Sequence, residues 1–299
     1  MLGTGIDKRG ALLVFGSAAV WSFGGAIARF LEVTDSWTVI FWRSLSAAVF
    51  LLGFMLKRDG WVGTRQMFVS MGLPGVGVAL CFATASTAFV VALAHTTVAN
   101  ILLMQTGAPL FAALLAFVLF RERVSAATWA AIAAVMVGVA IMVSGSLSGR
   151  VSPIGDGLAV LISVAFAGAT VLTRRHAQVR MMPAAFTSTV IAAAVALAFG
   201  GATGVSTSDA ALLFVFGALN LGLGMVLFVT GVRLLPSALA ALIGTAEPVL
   251  GPIWVWLVHR EVPGSRTLIG GAVVVLALLL HLGWQFRQQS QVVNLPLAD

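Results

Sequence analysis

Charged residues are scarce in this sequence of 299 residues. Only 9% of them are Asp, Glu, Lys or Arg, whereas soluble domains carry about 25%. So few charges would leave large apolar patches on the surface of a water-soluble protein of this size. The scarcity therefore argues against a soluble enzyme, a nucleic-acid-binding protein and a disordered chain. The single cysteine, Cys81, gives no basis for a disulfide framework.

Motifs for catalysis or cofactor binding are also missing. No Gly-rich loop ends in Gly-Lys-Ser or Gly-Lys-Thr, so ATP-driven pumping is not expected. The four histidines and the one cysteine show no metal-ligand spacing. No nucleophile stands beside a general base at the ends of the long apolar runs. We therefore predict no enzyme activity, no metal ion, no cofactor and no nucleic-acid partner.

Long apolar runs dominate the sequence instead, with 60% apolar residues and a mean hydropathy of +1.06. A helix needs about 20 apolar residues to cross the hydrocarbon core of a bilayer. Ten runs meet this requirement, at 10–30, 36–56, 66–94, 97–119, 125–145, 152–174, 183–202, 208–232, 237–258 and 263–284. The sequence predicts an all-α integral membrane protein with ten transmembrane helices.

The distribution of Lys and Arg predicts how these helices are oriented. With a cytoplasmic N-terminus, twelve of the 17 basic residues face the cytoplasm and four face outside, while Arg43 lies within a span. Cytoplasmic loops are enriched in Lys and Arg. We therefore expect a multi-pass protein of the inner (plasma) membrane with both termini in the cytoplasm.

An internal repeat relates the two halves of the chain. A shift of 139 residues aligns 99–122 with 238–261 and pairs a mid-span proline and a closing Arg-Glu in each half. A weaker match aligns 21–29 with 166–174. The matches predict five-helix repeats at 1–146 and 147–284, followed by a short cytoplasmic tail at 285–299. Because five is odd, the second repeat crosses the membrane in the opposite direction, an arrangement typical of secondary transporters.

These features resemble the drug/metabolite transporter superfamily. The resemblance is carried by the proline-to-glutamate frames at 109–122 and 248–261 and by Phe41-Trp42-Arg43-Ser44 in the second span. EamA-type metabolite exporters fit best, with the aromatic amino-acid exporters as a plausible subgroup. The resemblance implies a central cavity lined by spans 1, 3, 4, 6, 8 and 9, and export by alternating access.

Glu247 is the one carboxylate near the middle of a predicted span. A charge at that depth is costly unless it is paired, hydrated or protonated, so it is a functional candidate. It would bind a substrate amino group or carry a coupling proton. The alternative is a structural carboxylate that accepts hydrogen bonds from backbone donors around Pro248.

The other substrate-binding candidates are polar or aromatic side chains inside predicted spans. Buried amides need partners, which either a substrate or a neighbouring helix provides. The two aromatic candidates occupy equivalent repeat positions, where they would stack on a substrate ring or pack in the core. With Glu247, the candidates are Trp21, Ser86, Asn100, Gln105, Phe166 and Asn220.

Four further features are predicted to act as hinges, as gates or anchors, as a structural arginine and as part of the interfacial aromatic belt. Prolines inside spans are hinge candidates, and the glutamates that close spans four and nine are predicted anchors or gates. The hinge and gate candidates are Pro74, Pro109, Glu122, Pro248 and Glu261. For Arg43 we favour a structural arginine that binds loop carbonyls or Glu32 and Asp35, over a contact with a substrate carboxylate. Trp254, near a span end, is predicted to lie in the interfacial aromatic belt.

The sequence thus predicts a transporter for a small neutral or zwitterionic metabolite. Amino acids, aromatic ones included, are the leading substrate class, with protons as a candidate coupling ion and a monomer as the default state. The alternatives are an exporter of drugs or other metabolites with the same fold, and a passive channel or facilitator. A channel would conduct even with its repeats locked together.

Overall fold

The computed structural model describes residues 7–93, 95, 101, 105, 107–121, 124–144, 153–202, 204–260 and 265–293. Within these ranges the chain is helical and contains no strand. The α-helices are α1 (Lys8–Ser22), α2 (Gly24–Ala28), α3 (Ser36–Leu93), α4 (Ala108–Phe120), α5 (Ala126–Ser144), α6 (Pro153–Arg175), α7 (Met182–Ala198), α8 (Thr207–Phe214), α9 (Gly224–Gly231), α10 (Ser237–Gly244), α11 (Glu247–His259) and α12 (Ser265–Val293). A π-helical segment, Val215–Leu223, joins α8 to α9, and a 3-10 turn, Val232–Leu234, follows α9.

Five stretches of the described chain are long and apolar enough to cross a membrane. They are Lys8–Ala28, Ser36–Ala92, Pro153–Arg175, Thr207–Leu234 and Ser237–Val258. Four shorter apolar helices accompany them, at Ala108–Phe120, Ala126–Ile141, Met182–Ala198 and Leu268–Trp284. These helices agree with the predicted all-helical membrane fold, while the count of ten stays a prediction.

The long helix α3 is broken at two glycines. Gly60 (φ 67°) and Gly72 (φ 51°) adopt backbone angles that interrupt the helix, and glycine has no Cβ to clash at positive φ. The single run predicted at 66–94 is therefore divided at Gly72. Pro74 falls just after this break, at the start of the next helical segment, and its hinge role stays a prediction. There its missing N–H costs little.

Helices α4 and α11 are matching copies 139 residues apart. Each has 13 residues, carries proline at its second position and ends at an arginine with a left-handed backbone. These arginines are Arg121 (φ 54°) and Arg260 (φ 59°). Pro109 and Pro248 thus lie in first turns, where proline is tolerated, because a turn precedes each helix, at Gly107 and at residues 245–246.

Helices from different halves of the chain pack against one another. Helix α5 lies against α12, where a Cβ at Gly138 would overlap Gly270 O and the Val274 side chain. Thr128 Oγ1 on α5 lies 3.4 Å from His281 Nε2 on α12. Helix α12 continues to Val293, so the first part of the tail predicted at 285–299 extends the last span as a helix.

Candidate functional site

The N-terminal span is interrupted near its end, and Asn220 binds to the interruption. Helix α1 ends at Ser22 and α2 begins at Gly24. Carbonyl groups in the last turn of a helix lack helical partners. Asn220 Nδ2 donates to Val20 O (2.6 Å) and to Trp21 O (3.2 Å). Asn220 thus has the interhelical role that was the alternative to substrate contact in the sequence analysis.

Asn220 lies in the π-helical segment Val215–Leu223, which has glycines at its close contacts. A Cβ at Gly217 would overlap Arg43 O, and one at Gly222 would overlap the Phe50 ring. Gly224, just after the segment, leaves room for the Trp21 indole in the same way. The segment therefore packs tightly against both α1 and the first part of α3. π-Helical turns are frequent at functional sites.

Helix α11 closes the same region from the other repeat. Trp254 Nε1 donates to Ser22 Oγ (2.7 Å), and its ring stacks on Phe23 with centroids 4.1 Å apart. Trp254 Nε1 thus has a partner within the protein, and its predicted place in the interfacial aromatic belt stays a prediction. Near the break in α1, Ser22 and Phe23 join the first repeat to α11.

Arg43 and Glu247 are the two charged side chains of this region, one from each repeat. The Arg43 guanidinium lies over the Phe216 ring, 4.5 Å from its centroid. Its buried Nε has no hydrogen-bond partner within the described part of the chain. Neither side chain forms a hydrogen bond or a direct ion pair with any described residue. The predicted binding of Arg43 to Glu32 or Asp35 is not observed, nor are the backbone donors suggested for Glu247.

Trp21 and Phe166, the predicted aromatic pair, belong to a cluster of four rings. Their centroids are 6.1 Å apart in an edge-to-face arrangement. Phe228 lies 5.3 Å from Trp21 and 4.9 Å from Phe166, and Phe82 lies 6.2 Å from Phe166. Trp21 Nε1 is buried without a hydrogen-bond partner. The cluster combines core packing with one unsatisfied donor, so it does not choose between the two roles that the sequence left open.

The remaining predicted residues are less informative. Ser86 and Gln105 are half-buried, and no hydrogen bond to either side chain is found within the described part of the chain. Asn100, Glu122 and Glu261 lie outside the described residues, so their roles stay predictions. The described residues also contain no group of three or more His, Cys, Asp or Glu side chains placed to hold a metal ion.

Two polar contacts, which we call the Asp59 clasp and the Asp209 clasp, connect the repeats. In the Asp59 clasp, Arg180 donates to both carboxylate oxygens of Asp59, at 2.7 and 2.9 Å. In the Asp209 clasp, the buried Asp209 carboxylate accepts from the backbone N–H groups of Glu32 and Val33, both at 3.0 Å. The first part of α3, 36–59, is about 35 Å long at 1.5 Å per residue. The clasps therefore lie near opposite ends of this helix.

Sequence reasoning missed several residues of this region. Phe82, Phe216 and Phe228 are ordinary members of apolar runs, and no local signal marks them. Asp209 had a detectable signal, because it is an acidic residue in the first turn of a helix whose N-cap is Ser206. Its partners, however, are backbone groups more than 170 positions away in the sequence.

The fold and the paired helix breaks define a helical membrane protein built from two repeats. The EamA-like transporter family matches the chain twice, over residues 8–144 and 153–283. The chain belongs to this family, within the drug/metabolite transporter superfamily, and is a membrane transporter of that class. These matches confirm the family resemblance found in the sequence.

A solved structure shares the fold. It is titled "Crystal structure of protein", and its chain is 16% identical with a TM-score of 0.76. The alignment covers 91% of this chain and 98% of that one. At this identity the likeness concerns the fold alone. No curated protein matches the sequence significantly.

Proposed function

We propose that the protein is a secondary active transporter that exports a small neutral or zwitterionic metabolite by alternating access. Amino acids, aromatic ones included, are the leading substrate class. We place it in the inner membrane with both termini in the cytoplasm and take the monomer as the working unit. Family membership supplies the general function, and the finer statements are the proposal.

The observation that carries the proposal is the matching start of α4 and α11, where a turn is followed by proline at the second helical position. Interrupted helices near the middle of a membrane are tolerated where they line a cavity, and repeat transporters place their substrate sites there. Pro109 and Pro248 lie in the first turns after these interruptions. We therefore assign both prolines to the hinges on which the repeats move.

The side chains of the site support a substrate with little net charge. Arg43 and Glu247 bring one potential positive and one potential negative charge, and Trp21 and Phe166 bring aromatic surface. A nucleotide sugar would need several cations to bind its phosphates, and a dicationic drug would need more carboxylates. An amino acid matches one charge of each sign.

Glu247 is also the candidate carrier of a coupling proton. Its carboxyl group has no hydrogen bond or ion pair among the described residues, so substrate and proton would compete for it without first breaking a protein contact. Competition of this kind couples the two fluxes if the empty carrier does not reorient, because the carrier then moves outward with substrate and returns with a proton.

Counterflow into proteoliposomes tests the proposal. Vesicles containing purified protein are preloaded with a mixture of unlabelled amino acids and diluted into one radiolabelled amino acid at a time. We expect saturable, transient accumulation of the label that depends on the internal pool and is strongest for aromatic amino acids. Protein-free vesicles and vesicles without an internal pool are the controls.

The alternatives give different results in the same vesicles. A channel equilibrates the label without accumulation. Correctly inserted protein with no flux of any amino acid contradicts the substrate class and favours an exporter of drugs or other metabolites. A short bifunctional thiol reagent that links Asp59→Cys to Arg180→Cys in a Cys81→Ser background should stop a carrier, whereas a channel continues to conduct.

A further inference from the structure

We propose that Arg43 and Glu247 are the two poles of a binding site for zwitterionic α-amino acids. The Arg43 guanidinium binds the α-carboxylate, and the Glu247 carboxylate binds the α-ammonium group. The inference rests on the proposed function and deepens it, because it names the groups that recognise the substrate.

The first argument is the unsatisfied state of both side chains. Charged groups inside a membrane protein are normally paired or hydrogen bonded, and leaving one unpaired in a buried site is strongly unfavourable. Arg43 Nε is buried without a partner, and the Phe216 ring beneath the guanidinium offers no lone pair to its N–H groups. Glu247 has no hydrogen bond from any described residue. No described residue therefore occupies Arg43 Nε or the Glu247 carboxylate, which leaves both available to a ligand.

The second argument is the placement of the two groups. The Phe216 ring under Arg43 also lies beside Gly24, at the interruption of the N-terminal span. Helix α11, which begins at Glu247, contacts the same interruption through Trp254. Both charges thus lie around one interruption, yet they form no ion pair within the 4 Å that defines one. The carboxylate and ammonium groups of an α-amino acid are attached to one carbon, so a zwitterion between the two side chains would satisfy both at once.

The third argument is that neither charge follows from the symmetry of the fold. The 139-residue shift places Ala108 opposite Glu247, and the 145-residue shift of the first-span match places Ser188 opposite Arg43. The Ser188 hydroxyl donates to Ala185 O within its own helix (2.7 Å). In each case the equivalent position in the opposite repeat is uncharged. The repeat fold therefore does not require either charge, which favours a functional role for both.

The position of Arg43 is well defined, as a recognition site requires. Its backbone carbonyl lies where a Cβ at Gly217 would fall, and its guanidinium rests on Phe216 from the same π-helical segment. Glu247 is the first residue of α11, directly after the break that ends α10 at Gly244. Movement of α11 at this break would change the distance between the poles, so binding at the site would be linked to the conformational change.

Three ligands that share a phenylethyl group test the assignment. Phenylalanine carries both charges, phenethylamine lacks the carboxylate, and 3-phenylpropionate lacks the ammonium group. Binding of each to purified protein is measured for the wild type, Arg43→Gln and Glu247→Gln. Glu32→Gln and Arg65→Gln, which change exposed side chains, are the matched controls; the Glu32 backbone N–H in the Asp209 clasp is untouched.

We expect a crossed pattern. A hydrogen bond to a charged group is worth enough that its loss should weaken binding about tenfold to a hundredfold. Arg43→Gln should weaken phenylalanine and 3-phenylpropionate but leave phenethylamine unchanged. Glu247→Gln should weaken phenylalanine and phenethylamine but leave 3-phenylpropionate unchanged. Both control variants should bind all three ligands like the wild type.

Two results overturn the assignment while the proposed function stands. In one, wild-type protein binds phenylalanine and both variants keep that affinity. In the other, each variant loses all three ligands equally, which indicates a structural role. If Arg43→Gln does not fold, Arg43→Lys is the variant to test. Lysine keeps the positive charge but cannot form the bidentate hydrogen bonds of the guanidinium, so it should weaken only the ligands that have a carboxylate. Wild-type protein that neither binds nor transports any amino acid contradicts the proposed function itself.

Discussion

Asp59 and Arg180 form a bidentate ion pair between the repeats, with Nη1–Oδ1 and Nη2–Oδ2 distances of 2.7 and 2.9 Å. The Asp209 clasp is also closed, so the repeats are joined near both ends of the first part of α3. Under the proposed alternating-access mechanism, we expect each clasp to open in turn. The two contacts are chemically different, since one joins two side chains and the other joins a carboxylate to backbone amides.

The Asp59 clasp should contribute measurably to stability. Paired planar groups of this kind hold their geometry well, and exposed ion pairs are worth up to about 1 kcal/mol. We expect Asp59→Asn and Arg180→Gln each to lower the melting temperature of the purified protein, and the double variant to be no worse than the more damaging single variant. Melting temperatures that fall additively would show that the two side chains do not act together.

Glu247→Gln should abolish substrate accumulation driven by a pH gradient while leaving the protein folded. The amide has nearly the shape of the carboxyl group but neither binds a proton at neutral pH nor carries charge. Accumulation in proteoliposomes is compared with and without the gradient, with Glu32→Gln as the control. Wild-type accumulation by Glu247→Gln at every pH would remove Glu247 from coupling.

Trp21→Phe and Trp254→Phe form a matched pair. Both remove an indole N–H, but that of Trp21 is buried without a partner, whereas that of Trp254 donates to Ser22 Oγ. A buried donor without a partner costs about 1–3 kcal/mol. Trp254→Phe should therefore destabilise the empty protein more than Trp21→Phe does, as measured by melting temperature.

If the Trp21 N–H meets the substrate, Trp21→Phe should in addition change substrate preference. The readout is competition by a panel of amino acids against one labelled substrate in the counterflow assay. An unchanged order of competitors would assign Trp21 to packing alone.

Asp35 should make stability depend on pH in the acid range. The side-chain and backbone hydrogen bonds from Thr38 hold the pKa of Asp35 below its ordinary value. A lowered pKa in the folded state means that the stabilisation is complete above the unfolded-state pKa and is lost as the pH falls through the folded-state pKa. We expect wild-type melting temperature to fall below about pH 4 partly through this group.

The matched variant for this effect is Asp35→Ala. It should lower the melting temperature at neutral pH, because loss of a helix cap typically costs about 1 kcal/mol. The difference from wild type should shrink as the pH falls below the pKa of Asp35. A difference that is constant from neutral to acid pH would show that the carboxylate charge plays no part.

The features that the sequence predicted best were those that recur in both halves of the chain. The 139-residue shift located the equivalent starts and ends of α4 and α11, because proline and arginine recur at matching positions. The glycines and the proline near Gly72 also predicted an interruption of the run at 66–94, whereas hydropathy alone gave no sign of it. Hydropathy measures whether a segment fits lipid, and a bend between two apolar segments does not change it.

The neighbours of the site residues were harder to predict. In a soluble protein, apolar periodicity marks the buried face of a helix, but in a bilayer apolar side chains face lipid as readily as protein. Phe82 and Phe228 are nearly inaccessible, whereas Leu80 and Leu219, in the same apolar runs, are about half exposed. Nothing in the local sequence separates the two groups. Likewise, the contact of Asn220 with the end of α1 depends on a packing arrangement that only the folded chain reveals.

The number of residues in the π-helical segment Val215–Leu223 sets the rotation of the helix on either side of it. Each residue of an α-helix turns the chain by about 100°. Removing one residue within this segment, so that the α-helical hydrogen-bond pattern is restored, would rotate everything on one side of the deletion relative to the other. Asn220 would then turn away from α1, or the face carrying Gly224 would turn away from Trp21. The number of residues in this segment, as well as their side chains, therefore determines which groups contact α1 and Trp21. Chains one residue longer or shorter here should pack differently at this point.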